Sequence, residues 1–134
     1  MLPLTLFTSC QFSRELTQQT SIVALFQKNQ DLFRASVQQE DYTVVEEIPG
    51  IQNVYCYDNG VVDFYCGGKG FGPSTSYYGF FYSATDDPAS WEKGVCQADE
   101  LEPCGNGYLW QQKNGDNWYV EEIGTHFFYY AAGF

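Results

Sequence analysis

The chain has 134 residues, the size of one domain. Its composition, with 44% hydrophobic residues and 19% aromatic residues, predicts a folded rather than a disordered chain. Its net charge is −11. The last 95 residues, which follow Gln39, have a net charge of −12 because they contain fifteen acidic residues and three lysines. Such a charge repels phosphate backbones, so it argues against nucleic-acid binding and favours a basic protein partner; the alternative is that the charge simply keeps the protein soluble. No stretch of 18 or more apolar residues occurs, so no transmembrane segment is predicted.

The first twelve residues differ in composition from the rest of the chain. The opening MLPLTLFTSC is apolar and resembles the end of a bacterial lipoprotein leader, in which small residues precede a cysteine that becomes lipid-modified. We therefore expect residues 1–12 to be a leader-like or flexible segment and residues 13–134 to form a single domain. Cys10 is a candidate lipid anchor that would place the protein in the cell envelope, and a plain cytoplasmic N-terminus is the alternative.

Five cysteines stand at positions 10, 56, 66, 96 and 104. None has C-x-x-C spacing, and His126 is the only histidine, so we expect neither a metal site nor a cofactor. Cys96 and Cys104 flank an acidic loop and are the predicted disulfide pair, whereas buried free thiols are the alternative.

Residues 13–39 contain no glycine or proline, and their apolar side chains repeat at helical spacing through Ile22, Phe26, Phe33 and Val37. This pattern predicts one helix of about 20 residues that ends before Asp41.

After Asp41, short runs rich in valine and aromatic residues alternate with turn residues and predict strands. Asn59-Gly60 predicts a two-residue hairpin turn, in which Cys56 would face Asp63. The fold class is therefore expected to be α+β, with one long N-terminal helix packed on an antiparallel β-meander of six to seven strands. The predicted strands are residues 42–48, 53–58, 61–66, 75–83, 108–113, 118–123 and 125–132.

A glycine-rich run between two predicted strands includes Gly68, Lys69 and Gly70. It lacks the spacing of a phosphate-binding loop and leads through Pro73 into a strand rather than a helix. It is a candidate ligand-binding loop, and a glycine bulge within the sheet is the alternative.

The strands carry aromatic residues on both faces, and one helix covers only one face of a sheet. We therefore expect some rings to stay exposed beside carboxylates and to form a partner-binding surface. A buried second face and a homodimer are the alternatives. No complete catalytic set is apparent, and Cys66 with His126 is the remaining formal thiol–base pair. The predicted partner-binding residues are Tyr77, Tyr78, Asp86, Asp87, Asp99, Glu100, Trp118, Glu121 and Glu122.

Two segments, VVDFYCGGKGFGPSTSYYGFFYSATDDP (61–88) and GDNWYVEEIGTHFFYYAAGF (115–134), resemble parts of short uncharacterised bacterial proteins, lipoprotein-like or immunity-like. Those proteins carry a GxGFGxxTxYxGFYYS-type run before a tyrosine-rich C-terminal hairpin; here Phe81 replaces a tyrosine. The resemblance implies a bacterial origin and no catalytic chemistry.

Taken with the charge, these features predict a non-enzymatic binding protein, an immunity-type inhibitor of a cationic bacterial toxin such as a nuclease. The alternative is an envelope lipoprotein anchored at Cys10 that binds a small ligand or a cell-wall fragment.

Overall fold

A seven-stranded antiparallel sheet forms the centre of the computed structural model, which describes residues 15–71, 74–91 and 100–134. Two short helices and a 3₁₀ helix precede it in the chain, and none of the described helices is long and apolar enough to span a membrane. The elements are α1 (Gln19–Lys28), α2 (Gln30–Gln39), the 3₁₀ helix (Val45–Glu47), β1 (Asn53–Cys56), β2 (Val62–Phe71), β3 (Ser74–Tyr82), β4 (Glu102–Cys104), β5 (Gly107–Gln111), β6 (Asn117–Gly124) and β7 (Phe127–Gly133).

The prediction of one long helix is wrong, because the chain breaks at Asn29 into two helices of ten residues each. Asn29 leaves the helical backbone conformation, and its side-chain amide donates to the carbonyl of Leu25 at 3.0 Å. This side-chain bond competes with the continuing helix. The apolar repeat runs through the break without interruption, so periodicity alone could not show it.

The strand predicted for residues 42–48 is also wrong. The Asp41 carboxylate accepts hydrogen bonds from the backbone N–H of Thr43 at 3.1 Å and from its hydroxyl at 2.8 Å. This local turn starts a helical geometry that the Val45–Glu47 3₁₀ helix continues, with Val45 buried.

The strand order is β1-β2-β3-β7-β6-β5-β4, which corrects the predicted meander. After β3 the chain crosses to the opposite edge of the sheet and returns strand by strand, so that β7 lies between β3 and β6. In this register Gly79 on β3 pairs with Tyr130 on β7 and with Tyr65 on β2.

The β1–β2 hairpin is one residue longer at its turn than predicted. The N–H of Tyr57 donates to the carbonyl of Val61 at 2.9 Å, which leaves residues 58–60 as a three-residue loop with Gly60 at φ +85°. Cys56 therefore pairs with Val62, and Asp63 pairs with Tyr55. Because directly paired residues share a face, Asp63 and Tyr55 lie on the same side of the sheet.

Both faces of the sheet are buried over much of their area. The helices cover one face, where Phe26 and Phe33 pack on Phe64, Phe80 and Phe127. Residues 83–91, here called the covering segment, lie over part of the other face, here called the second face. The buried hydrophobic residues packed between the second face and the covering segment are Val61, Phe81, Ala89, Trp110, Trp118, Val120, Phe128, Tyr130 and Ala132.

Candidate functional site

An open cleft of about 420 Å³ lies on the second face, beside the covering segment; we call it the aromatic cleft. Seven rings and one carboxylate line it, and none of the described basic residues is among its lining side chains. The lining residues are Tyr55, Tyr57, Asp63, Tyr65, Tyr77, Trp91, Tyr130 and Phe134.

Strand alternation places five of these eight side chains on one face. Asp63 and Tyr65 are two residues apart on β2 and point to the same side, and Tyr55 on β1 lies directly opposite Asp63. Tyr77 on β3 and Tyr130 on β7 project from the neighbouring strands onto that side. Five of the eight lining residues therefore come from four adjacent strands, and the other three, Tyr57, Trp91 and Phe134, lie outside the strands.

Asp63 lies at the inner part of the cleft, and only 3% of its surface is exposed. The hydroxyl of Tyr130, from two strands away, donates to its Oδ1 at 2.8 Å. Burial and the negative charge of Asp63 raise the pKa of Tyr130 well above its usual value, so this phenol remains a donor.

Gly79 makes this hydrogen bond across β3 sterically feasible. A Cβ at this position would lie 2.8 Å from the Tyr130 hydroxyl and 2.5 Å from the carbonyl oxygen of Phe64. The Tyr130 ring passes over the bare glycine to reach Asp63, and any larger residue at position 79 would block it.

Trp91 forms one wall of the cleft. Its ring stacks on Trp118 at a centroid distance of 4.5 Å and on Tyr130 at 4.7 Å. The covering segment that carries it is folded around the buried hydroxyl of Ser83, which accepts hydrogen bonds from the Asp87 N–H at 3.1 Å and from the Ser90 hydroxyl at 3.0 Å. The wall is therefore held by packing on its inner side and by hydrogen bonds within its own segment.

The mouth of the cleft is exposed. Tyr55 and Tyr57 leave 45% and 44% of their surfaces accessible. The side-chain amide of Asn59, in the β1–β2 turn, donates to the carbonyl of Ser90 at 3.1 Å. This bond fixes the hairpin tip against the covering segment.

The aromatic members of the predicted partner-binding set do not form one surface. Tyr77 lines the aromatic cleft, whereas Tyr78 packs on the helix-covered face. Trp118 is only 1% exposed and lies behind Trp91, so its ring supports the cleft without reaching the surface.

The acidic members of that set are also dispersed. Asp86 lies 3.7 Å from His126 Nδ1, and Asp87 accepts the Ala89 N–H at 2.9 Å within the covering segment. Glu121 accepts hydrogen bonds from Tyr119 and Gln19 on the helix-covered side. Glu100 and Glu122 are exposed, and Asp99 lies outside the described residues.

The glycine-rich run belongs to β2, whose pairing with β3 shifts between Tyr65 and Gly67. Lys69 and Gly70 are exposed in the paired strand. A Cβ at Gly68 would lie 2.6 Å from the Tyr65 hydroxyl, so Gly68 provides space for a tyrosine of the cleft. Direct ligand binding by Gly68, Lys69 and Gly70 stays a prediction.

None of the three described thiols, Cys56, Cys66 and Cys104, lines the cleft. Cys66 is buried on the helix-covered face, and burial, with the charge of Asp63, raises its pKa, which disfavours the nucleophilic thiolate. Cys104 is an exposed free thiol. Its predicted disulfide partner Cys96 and the candidate anchor Cys10 both lie outside the described residues. Within residues 15–71, 74–91 and 100–134, no group of three metal-ligating side chains comes together.

The sequence analysis missed Asp63, which the cleft uses. The sequence feature that could have identified Asp63 is an acidic residue inside the apolar run Val61–Phe64. This part of the strand is buried on both faces, and a buried carboxylate needs a specific partner. Tyr130 could not be identified as that partner, because the β3–β7 pairing is not visible in the sequence.

Comparisons with protein-family models, with curated proteins and with solved structures found no match to this chain.

Proposed function

We propose that the protein is a non-enzymatic binding protein, an immunity-type inhibitor that neutralises a cationic bacterial toxin such as a nuclease. The observation that carries the proposal is the aromatic cleft with the buried Asp63 carboxylate inside it. Its location is the bacterial cytoplasm, or the cell envelope if Cys10 is lipid-modified.

A cleft of this composition favours a positively charged guest. Aromatic faces attract a cation by about 0.5–2 kcal/mol each, with the larger value where water is excluded. A charge-assisted hydrogen bond to a buried carboxylate adds about 1.5–3 kcal/mol. The attraction to the rings requires the guest to carry positive charge, and a charged donor bonds to the carboxylate more strongly than a neutral donor does.

The net charge of −11 supports the same proposal at longer range. A negative protein attracts a basic partner before contact, which raises the association rate and makes it sensitive to salt. The exposed Tyr55 and Tyr57 rings at the mouth provide apolar contact area once the partner has arrived.

A second candidate function is small-ligand binding by an envelope lipoprotein. The cleft volume of about 420 Å³ favours it, because small-molecule pockets usually measure roughly 300–1,000 Å³. Membrane fractionation of the native protein, with intact mass to detect lipid on Cys10, separates this candidate from the first.

The test of the inhibitor proposal combines capture with protection. Immobilised protein is incubated with bacterial lysate at low salt, retained basic proteins are identified by mass spectrometry, and each is co-expressed with the protein in a growth assay. We expect a basic toxin whose growth inhibition is relieved by the wild-type protein and by the control variant Glu46→Gln, whose substitution lies on the 3₁₀ helix. Tyr55→Ala should weaken the protection. A search that yields no basic partner and no protection contradicts the proposal.

A further inference from the structure

We infer that Tyr130 is a redox-active tyrosine, which becomes a tyrosyl radical after a one-electron oxidant has removed an electron from Trp91 at the aromatic cleft. This activity goes beyond the proposed inhibitor function and does not depend on it. It belongs to three rings in mutual contact, Trp91, Trp118 and Tyr130, here called the ring stack.

The ring stack connects the cleft with the interior of the protein. Trp91 lines the cleft and is partly exposed, whereas Trp118 is 1% and Tyr130 is 0% exposed. The centroid of Trp91 lies 4.5 Å from that of Trp118 and 4.7 Å from that of Tyr130. Indoles and phenols are among the protein groups that lose one electron most readily, and stacked rings exchange electrons without any movement of the chain. An electron taken from Trp91 is therefore replaced from within the stack.

The three rings differ in what can accept their protons. The Nε1 atoms of Trp91 and Trp118 are buried, and neither has a hydrogen-bond partner among the described residues. Buried N–H groups without a partner are rare, and a redox role is one of the reasons for which they occur. The Tyr130 hydroxyl, in contrast, donates to the Asp63 carboxylate at 2.8 Å. Within the described structure, Tyr130 is thus the one member of the ring stack with a base for its proton.

This difference directs the oxidation to Tyr130. An indole that has lost an electron is a cation radical, and without a base at Nε1 it keeps its proton and its positive charge. A charge in a buried cluster is costly. Tyr130 avoids this cost, because its proton passes to Asp63 as its electron passes to Trp91. The transfer uses the hydrogen bond that Asp63 already accepts and needs no free position on the carboxylate.

The electrons and protons balance. The oxidant gains one electron from Trp91, and Trp91 regains one from Tyr130. The O–H bond of Tyr130 breaks, and an O–H bond forms on Asp63, so the products are a neutral tyrosyl radical and a neutral carboxylic acid. At rest, burial and the Asp63 charge raise the pKa of Tyr130, so the phenol holds its proton until its electron leaves. A one-electron reductant such as ascorbate returns the electron, and Asp63 returns the proton.

Flash photolysis of the full chain tests this activity. A ruthenium(III) polypyridyl complex, generated by a laser flash with a soluble electron acceptor, is the oxidant. It reaches Trp91 most easily, because Trp110 and Trp118 are only 6% and 1% exposed. Transient absorption distinguishes tryptophan radicals from tyrosyl radicals. We expect a tryptophan radical that decays as a tyrosyl radical appears, at a rate independent of the concentration of the complex and slower in heavy water.

Four variants assign the conversion to the ring stack. Tyr130→Phe keeps the ring and removes the hydroxyl, so the tryptophan radical should persist and the concentration-independent tyrosyl phase should be lost. Asp63→Asn should slow the conversion about tenfold or more, because the phenol loses its base. Trp91→Phe should also abolish this phase, because the oxidant then has no indole at the cleft. Tyr77→Phe changes another tyrosine of the cleft and should convert like the wild type. Thermal unfolding establishes that each variant is folded.

Several outcomes would overturn the inference. One is a wild-type tryptophan radical that does not convert to a tyrosyl radical, or that converts equally fast in heavy water. Another is conversion at the wild-type rate in folded Tyr130→Phe, Asp63→Asn or Trp91→Phe. Loss of the conversion in folded Tyr77→Phe would place the radical on Tyr77 and would equally contradict the assignment to Tyr130. Capture of a basic partner is a separate measurement, so failure of the inhibitor proposal leaves these outcomes unchanged.

Discussion

Replacing Gly79 by alanine should destabilise the protein severely for a change of one methyl group. The added carbon would lie 2.5 Å from the carbonyl oxygen of Phe64 and 2.8 Å from the hydroxyl of Tyr130. Neither atom moves freely, because Phe64 is held in the β2–β3 ladder and Tyr130 is fully buried. The methyl group therefore has both to push the strands apart locally and to displace the tyrosine from Asp63.

The magnitude follows from these two contacts. Overpacking a core position costs about 1–3 kcal/mol, and loss of a hydrogen bond to a buried charged group costs about 1.5–3 kcal/mol. The smaller entropy of the unfolded alanine variant offsets about 0.4–1 kcal/mol. We expect the free energy of unfolding to fall by about 2–5 kcal/mol, a large share of the roughly 5–15 kcal/mol of a typical domain.

Urea denaturation followed by circular dichroism measures this loss. Ser76→Ala, on the same strand, is the control and should change the free energy of unfolding by no more than about 0.5 kcal/mol. Tyr130→Phe should cost about 1.5–3 kcal/mol, because Asp63 loses a donor. The double variant should be at least about 1 kcal/mol more stable than the sum of the single effects predicts, since both disturb one contact.

Two results would contradict this role of Gly79. One is a Gly79→Ala variant within about 0.5 kcal/mol of the wild type. The other is strict additivity of Gly79→Ala and Tyr130→Phe, because additivity is expected only for sites that share no contact. Either would mean that Tyr130 does not cross β3 above Gly79 to reach Asp63.

Three further predictions use other parts of the molecule. Iodoacetamide should label the exposed Cys56 and Cys104 well before Cys66 in the folded protein, because burial shields the Cys66 thiol from the reagent and raises its pKa. Peptide mass spectrometry measures the labelling of each cysteine. Equal labelling rates would contradict the burial of Cys66. Burial raises the pKa of Tyr129 to about 12, whereas the same phenol in the unfolded chain titrates near 10. The unfolded chain therefore loses the phenol proton at lower pH, and the free energy of unfolding should fall as pH rises from about 10 to 12. Urea midpoints at pH 8, 10 and 11 measure this, and midpoints that do not change with pH would contradict it. Asn59→Ala should lower the free energy of unfolding by about 0.5–1.5 kcal/mol and shift tryptophan emission to longer wavelength, because the covering segment loses its hydrogen bond to the hairpin. An unchanged emission spectrum would show that the position of Trp91 does not depend on that bond.

The sequence predicted most of the secondary structure of the sheet, because its strands are rich in β-branched and aromatic residues and are separated by glycine and asparagine turns. It did not predict the break at Asn29 or the turn that replaces the strand at 42–48. Both depend on a single polar side chain that bonds to nearby backbone, and neither interrupts the apolar pattern. Local hydrogen bonds of this kind decide between structures that have the same hydrophobic periodicity.

The candidate site was less predictable than the fold. Tyr77 and Tyr78 were both predicted to bind a partner; Tyr77 lines the cleft, whereas Tyr78 points to the other face, and partner binding by either residue stays a prediction. The site depends on the β3–β7 pairing and on a hairpin turn one residue longer than Asn59-Gly60 suggests. A shift of one residue reverses the face of every side chain in a strand, so the predicted register could not place Asp63 beside Tyr55.

The position of β7 has a consequence for how the protein is made. β7 is the last strand in the described chain, yet it joins β1–β3 to β4–β6. While a ribosome is still adding residues before Phe127, the two half-sheets have no strand between them, and the edges of β3 and β6 remain unpaired. Assembly of the sheet therefore waits for its final seven residues, and until they emerge, those two open edges are the places where a nascent chain would pair with the wrong neighbour.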